Sequence, residues 1–193
     1  MYKFKAYTDG ACSGNPGLGG WGAVLLAEKN NKIIKRKEIS GSAVDTTNNQ
    51  MELIAAIETL KVLKKFTEIC IITDSNYVKK GITEWLPSWK KNNWKTSSKK
   101  EVKNRNLWEE LEELVNKNKV DWLWVKGHAG NVENERADFL LQIIRFISGA
   151  YEKLTGWRRC VLHDPLAAAV CLFPDLVKTE KCHVDVELRG ELT

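Results

Sequence analysis

Proline, histidine and cysteine are all sparse in this chain of 193 residues, with four, three and five copies, and each scarcity excludes something. With so little proline and no run of it, a polyproline or collagen-like rod is ruled out. The cysteines (Cys12, Cys70, Cys160, Cys171, Cys182) are odd in number and never form a C-x-x-C pair, so neither a zinc ribbon nor a dithiol redox site is encoded. Reduced thiols are expected. Long apolar runs are missing too. The most apolar stretch, Asp164 to Phe173, contains Asp164 and Pro165 and falls well short of the roughly 20 residues that cross a bilayer. The N-terminus, Met1-Tyr2-Lys3-Phe4-Lys5, alternates polar and apolar where a signal peptide would be continuously apolar. The expectation is a cytoplasmic monomer with no membrane partner.

What is present is enough for a core. Hydrophobic residues make up 43% of the chain and eight are tryptophan, so wholesale disorder is excluded. The net charge of +5 is unevenly placed. Residues 1–141 hold 23 basic and 18 acidic side chains and carry all of it, whereas residues 142–193 hold seven of each. Between Lys90 and Arg105 there are seven basic residues, including Lys90, Lys91 and Lys95, against the single acid Glu101, with Trp85, Trp89 and Trp94 interleaved or adjacent. Such a segment is either a surface that neutralises a polyanion's phosphates or a solvated lysine-rich loop, and charge density alone does not separate the two.

Periodicity predicts strands over Lys3–Thr8, Trp21–Ala27 and Lys32–Ser40, with a turn-rich loop from Gly10 to Gly20. Thr46-Thr47-Asn48-Asn49 offers capping side chains ahead of Met51, Leu53, Ile54, Ile57 and Leu60, whose spacing of three and four is helical. A short apolar strand, Ile69–Thr73, stops at Asp74. Helices are expected over Tyr77–Trp85 and Leu107–Asn116, a strand over Val120–Val125, and a last helix from Glu133 to about Ile147. Strands first, then alternation of helix and strand, indicates an α/β domain with a mixed sheet.

Four carboxylates occupy the ends of these elements: Asp9 and Asp74 after strands, Glu52 and Asp138 in the first turns of helices. An isolated aspartate after a strand is commonly a turn or cap residue. Were the four to converge, their repulsion would call for hard, oxygen-seeking cations such as Mg²⁺ or Mn²⁺. Two such ions about 4 Å apart can activate water and stabilise the leaving oxygen of a phosphodiester.

The strings Tyr7-Thr8-Asp9-Gly10-Ala11-Cys12-Ser13-Gly14-Asn15-Pro16-Gly17, Thr46-Thr47-Asn48-Asn49-Gln50-Met51-Glu52-Leu53, Thr73-Asp74-Ser75, Trp124-Val125-Lys126-Gly127-His128-Ala129-Gly130 and Asn134-Glu135-Arg136-Ala137-Asp138 resemble, in order, the bacterial type 1 ribonucleases H. The resemblance covers residues 3 to 141. It implies a ribonuclease H-like fold, a mixed five-stranded sheet with flanking helices, in a domain spanning residues 1–141. The implied activity is endonucleolytic cleavage of the RNA strand of an RNA·DNA hybrid, leaving 3′-hydroxyl and 5′-phosphate ends. By the same resemblance, Asp9, Glu52, Asp74 and Asp138 are the metal-binding carboxylates for two Mg²⁺ ions, with Mn²⁺ an alternative. His128 assists proton transfer or product release, and Glu133 modulates. Cys12, Asn15, Asn48, Asn49 and Gln50 match positions near the hybrid's minor groove, and Thr47 matches a residue that holds a DNA phosphate. Ser88 and Asn76 depart from the family, standing where asparagine and glutamine are usual. The segment from Trp85 to Lys103, with Lys90, Lys91 and Lys95, looks like the family's basic protrusion, with Trp85 and Trp89 sharing a helical face either to pack it or to meet substrate.

The remaining residues, 142–193, form a C-terminal extension. Leu162-His163-Asp164-Pro165-Leu166, Phe173-Pro174-Asp175-Leu176 and His183 to Thr193 resemble the C-terminal part of the inosine-uridine type nucleoside hydrolases. That family's aspartate-rich N-terminal calcium motif is absent. The extension is expected to be a fragment without nucleoside hydrolysis.

Overall fold

The order of strands in the sheet follows from which strands can be joined by tight turns and which need a helix between them. A computed structural model describes residues 2–127 and 129–155. His128 and residues 156–193, with His163 and Asp164, lie outside the described residues. Strands β1 (Tyr2–Gly14), β2 (Gly17–Lys29) and β3 (Lys32–Thr46) form an antiparallel meander, and β4 (Glu68–Thr73) and β5 (Lys119–Trp124) add in parallel to give the order β3-β2-β1-β4-β5. Parallel neighbours need crossovers. These are supplied by α1 (Asn48–Lys61) between β3 and β4, and by α2 (Asn76–Lys80), α3 (Leu86–Lys91) and α4 (Arg105–Asn116) between β4 and β5. The last helix, α5, spans Val132–Thr155.

Side-chain alternation along β1 divides the interior. Ala6 belongs to a cluster with Leu53, Ile57 and Leu60 of α1, Ile71 of β4 and Trp108 and Leu111 of α4. Its neighbour Tyr7 borders a smaller cluster of Val24, Leu26 and Ala137, the last from α5. Helices therefore cover both faces, as a sheet with parallel strands at its centre requires. The described residues fall in one compact unit, and no helix among them is long and apolar enough to cross a membrane.

Four elements differ from the sequence expectation. The segment Gly10–Gly20 is not a loop: β1 and β2 stay paired from Gly10 opposite Trp21 to Gly14 opposite Gly17, leaving only Asn15-Pro16 as the turn. Small residues there allow helix α1 to come close, and do not end the strand. Strand β3 continues past Ser40 to Thr46 because β2 continues to template it. The helix expected to stop at Trp85 runs on as α2, a π-helical turn over Gly81–Trp85, and α3 to Lys91, with Pro87 tolerated in the first turn of α3. Helix α5 likewise exceeds its expected end at Ile147 and passes without a break through the boundary drawn at 141/142.

The π-turn packs closely on the core at its first residue. A Cβ at Gly81 would sit 2.0 Å from the ring of Trp108, which is fully buried and donates its indole N–H to the Tyr77 hydroxyl at 3.2 Å. Gly81→Ala is expected to cost about 1–3 kcal/mol through overpacking, read as a lower urea midpoint at unchanged m-value. An unchanged midpoint would contradict this packing.

Candidate active site

Strands β1 and β4 run parallel with Thr8 beside Thr73, so the next residue of each chain is an aspartate, Asp9 and Asp74. Strand pairing alone thus brings two acids side by side where β4 ends. The third arrives through Gly10. A Cβ at that position would lie 2.4 Å from both the carbonyl carbon of Met51 and the amide nitrogen of Glu52, so the first turns of α1 rest directly on the β1 backbone. Helix α1 is anchored at this end by a capping box, in which Thr47 Oγ1 accepts from the Gln50 amide and Gln50 Oε1 accepts from the Thr47 amide at 2.9 Å. Each of Asp9, Glu52 and Asp74 consequently offers a carboxylate oxygen within 4.8 Å of the others.

This is an electrostatically costly arrangement. Asp9 is only 8% exposed, and its Oδ1 accepts from the Gly10 amide at 2.7 Å. Glu52 Oε2 is buried with no hydrogen-bond partner. Burial, followed by repulsion from Asp9 and then Asp74, holds the Glu52 carboxyl well above the usual carboxylate range. Three converging hard oxygen donors, one of them an orphaned buried atom, fit a divalent cation, and the triad can bind a metal.

Asp138 is not part of that group of three. It lies half-buried in the second turn of α5, with Oδ2 accepting from Gln142 Nε2 at 2.7 Å. The start of α5 is tied to β3 by charge. Glu38 accepts from Arg136 through both oxygens at 2.9 to 3.2 Å, and Arg36 joins Glu38 to Glu133. Hydrogen bonding from Arg136 holds the Glu38 carboxyl below its ordinary value.

The other site residues predicted from sequence fall into three groups. Asn15, Asn48, Asn49 and Asn76 are exposed. The Cys12 amide donates to Asn48 Oδ1 at 2.6 Å, joining the β1–β2 hairpin to the start of α1. Thr47 and Gln50 meet in the capping box through Thr47 Oγ1 and Gln50 Oε1. Within the basic segment Lys91 and Lys95 are exposed, whereas Lys90 pairs with Glu112 at 2.7 Å. Trp85 is half-buried in a packed aromatic series: its ring centroid is 6.3 Å from Tyr77 and 5.7 Å from Trp89, which in turn lies 5.5 Å from Trp108. Sequence reasoning passed over Gly10. Its signal was a glycine directly after a strand-end carboxylate.

The raised Glu52 value has a pH signature. A carboxyl whose folded pKa exceeds its unfolded one contributes stability that is full below the unfolded pKa and is lost as pH rises through the folded pKa. In chelator, the melting temperature of the wild type should therefore fall, relative to Glu52→Gln, as pH climbs from the ordinary carboxylate range towards neutrality. A difference that grows in the opposite direction would contradict the burial and repulsion argument.

Comparison with known proteins places this geometry. The family model described as RNase H matches residues 2–143. Ribonuclease H of Cereibacter sphaeroides is 56% identical over 140 residues, covering 72% of this chain and 93% of that protein. Among solved structures, LC9-RNase H1, a type 1 RNase H with the type 2 active-site motif, superposes with a TM-score of 0.65 at 32% identity, covering 72% of this chain and 70% of that one. A foamy viral protease-reverse transcriptase, solved in complex with RNA/DNA hybrid, shares the fold at 21% identity with a TM-score of 0.62, over 75% of this chain and 20% of that one. With its mixed five-stranded sheet, flanking helices and acidic triad, this chain belongs to the ribonuclease H family and is a ribonuclease H.

Proposed function

We propose that this ribonuclease H hydrolyses the RNA strand of RNA·DNA hybrids as an endonuclease, leaving 3′-hydroxyl and 5′-phosphate ends. The observation that carries the reading is the triad of Asp9, Glu52 and Asp74, with oxygens within 4.8 Å of one another. Exposed amides of Asn15, Asn48 and Asn49 on neighbouring elements support it. Asp9, Glu52, Asp74 and Asp138 would hold two Mg²⁺ ions, with Mn²⁺ as a substitute. Such ions supply Lewis acidity for an attacking water and for the leaving 3′-oxygen.

The protein's own groups then have distinct tasks. Asp9, Glu52 and Asp74 fix the donor set on the middle of β1, the start of α1 and the end of β4, where backbone pairing leaves little freedom. His128 receives or delivers a proton, or helps release product. Cys12, Asn15, Asn48, Asn49 and Gln50 line the face that reads 2′-hydroxyls and base edges, the chemistry that separates an RNA strand from a DNA strand. Thr47, with Ser88, serves the DNA strand, Asn76 offers the hybrid an amide, and Trp85 packs the protrusion that presents the lysines. Glu133 acts indirectly, through its ion pair with Arg36 at the base of α5. The extension beyond residue 141 adds no nucleoside hydrolysis.

Labelled RNA·DNA hybrid, RNA·RNA duplex and inosine, each incubated with Mg²⁺, test these assignments together. Cleavage of the hybrid's RNA strand alone is expected, with loss in Asp9→Asn. Persistent cleavage in Asp9→Asn would overturn the metal assignment, and ribose release from inosine would overturn the reading of the extension.

Neutralising Lys90, Lys91 and Lys95 together should weaken hybrid binding and make its salt dependence shallower. Each phosphate contact contributes about 0.9 to the slope of log K against log salt. Because Lys90 is held by Glu112, the slope should fall by about two units, not three. An unchanged slope would remove this segment from the binding surface.

A further inference from the structure

The segment that leaves β5 touches the carboxylate triad in two places. At its start, the Trp124 indole Nε1 donates to the backbone carbonyl oxygen of Asp74 at 2.8 Å, and the Val125 amide donates to the Thr73 carbonyl at 3.0 Å. The chain is thus fastened to the end of β4 at the very residue that supplies one of the three carboxylates. Trp124 is 38% exposed, so full burial of its ring is not what the residue achieves there.

Three residues later the contact is steric. A Cβ at Gly127 would lie 2.4 Å from Asp74 Oδ2, 3.3 Å from Asp74 Cγ and 3.5 Å from Asp74 Cβ, so the three nearest atoms all belong to that one side chain. The Asp74 carboxylate occupies the space a side chain at 127 would fill. Backbone conformation is not the reason for glycine here. Gly130, in the same loop, has φ of +81° and nothing within 4 Å of its Cβ position, whereas Gly127 lies outside the positive-φ region. One glycine therefore serves the turn of the chain and the other serves the carboxylate.

We propose that Gly127 and Trp124 are positioning residues for Asp74: the indole fixes its backbone, and the bare Cα of Gly127 leaves its carboxylate the space in which it joins Asp9 and Glu52. This rests on the reading of those three acids as the cation-holding set. The two residues act through Asp74 and touch no reacting atom themselves. The atom that a methyl at 127 would displace is the end of a flexible side chain and not backbone. The fold can therefore accept the change by turning the carboxylate aside, and the loss falls on the site. Stability and cation binding should separate.

Isothermal titration of the full chain with Mn²⁺, alongside metal-free melting, tests this. Gly127→Ala is expected to bind Mn²⁺ about 10–100-fold more weakly, the usual consequence of disturbing groups that orient a metal ligand, while its metal-free melting temperature stays close to wild type. Trp124→Phe, which keeps an aromatic ring but loses the donor, should shift affinity in the same direction by a smaller factor. Gly130→Ala should show the reverse, a lower melting temperature with Mn²⁺ affinity retained. Wild-type affinity in both Gly127→Ala and Trp124→Phe would overturn the proposal. Equal affinity in the wild type and in Asp74→Asn would overturn the assignment of the triad itself, and the positioning role with it.

Discussion

Mutual repulsion among Asp9, Glu52 and Asp74 is the constraint around which this domain is built. Three carboxylates offering oxygens within 4.8 Å of one another, one with an unsatisfied buried atom, would separate if their backbones allowed it. They do not, because each acid is carried by an element whose position is decided elsewhere. The parallel pairing of β1 with β4 extends over Phe4 to Thr8, and its register leaves Asp9 and Asp74 side by side. Glu52 is carried on a helix whose Leu53, Ile57 and Leu60 are buried in the main core. Hydrophobic packing far from the acids thus holds like charges together, and a divalent cation would relieve the strain.

A glycine that leaves room for a close neighbour is the second recurring device. Gly10 lets α1 rest on β1, and Gly127 leaves room for the Asp74 carboxylate. At Gly81 the same device serves packing, admitting the Trp108 ring beneath the helical segment that leads to the basic protrusion. The half-buried tryptophans of that segment belong to the same arrangement. Trp85 packs edge to face with Tyr77 and Trp89 with Trp108, while the Trp85 and Trp89 rings lie tilted against each other beside the lysine-bearing segment.

Much of the fold was legible in the sequence because its signals were local. The apolar run Ile69–Thr73, the spacing of Met51 to Leu60 and the capping string before it predict β4 and α1 within a few residues of their observed limits. Misreadings arose where a local breaker is overruled by tertiary contact. Glycines from Gly10 to Gly20 look like a loop, but strand pairing continues through them, and the helical segment expected to stop at Trp85 runs on through Pro87 to Lys91. Of the candidate site, the four acids were visible as types at element ends. The convergence of three of them depends on strand register, which is a property of two distant segments together and cannot be read from either. The orienting roles of Gly10, Trp124 and Gly127 were hidden for the same reason.

As the proposed cation site, the carboxylate triad should need a divalent ion both to relieve its repulsion and to act. Titration of Mg²⁺ into metal-free protein, following melting temperature and cleavage of an RNA·DNA hybrid in parallel, tests it most directly. The expected result is that both rise over the same concentration range and that neither responds in Asp9→Asn. Hybrid cleavage at full rate in excess chelator, with a melting temperature indifferent to Mg²⁺, would contradict it.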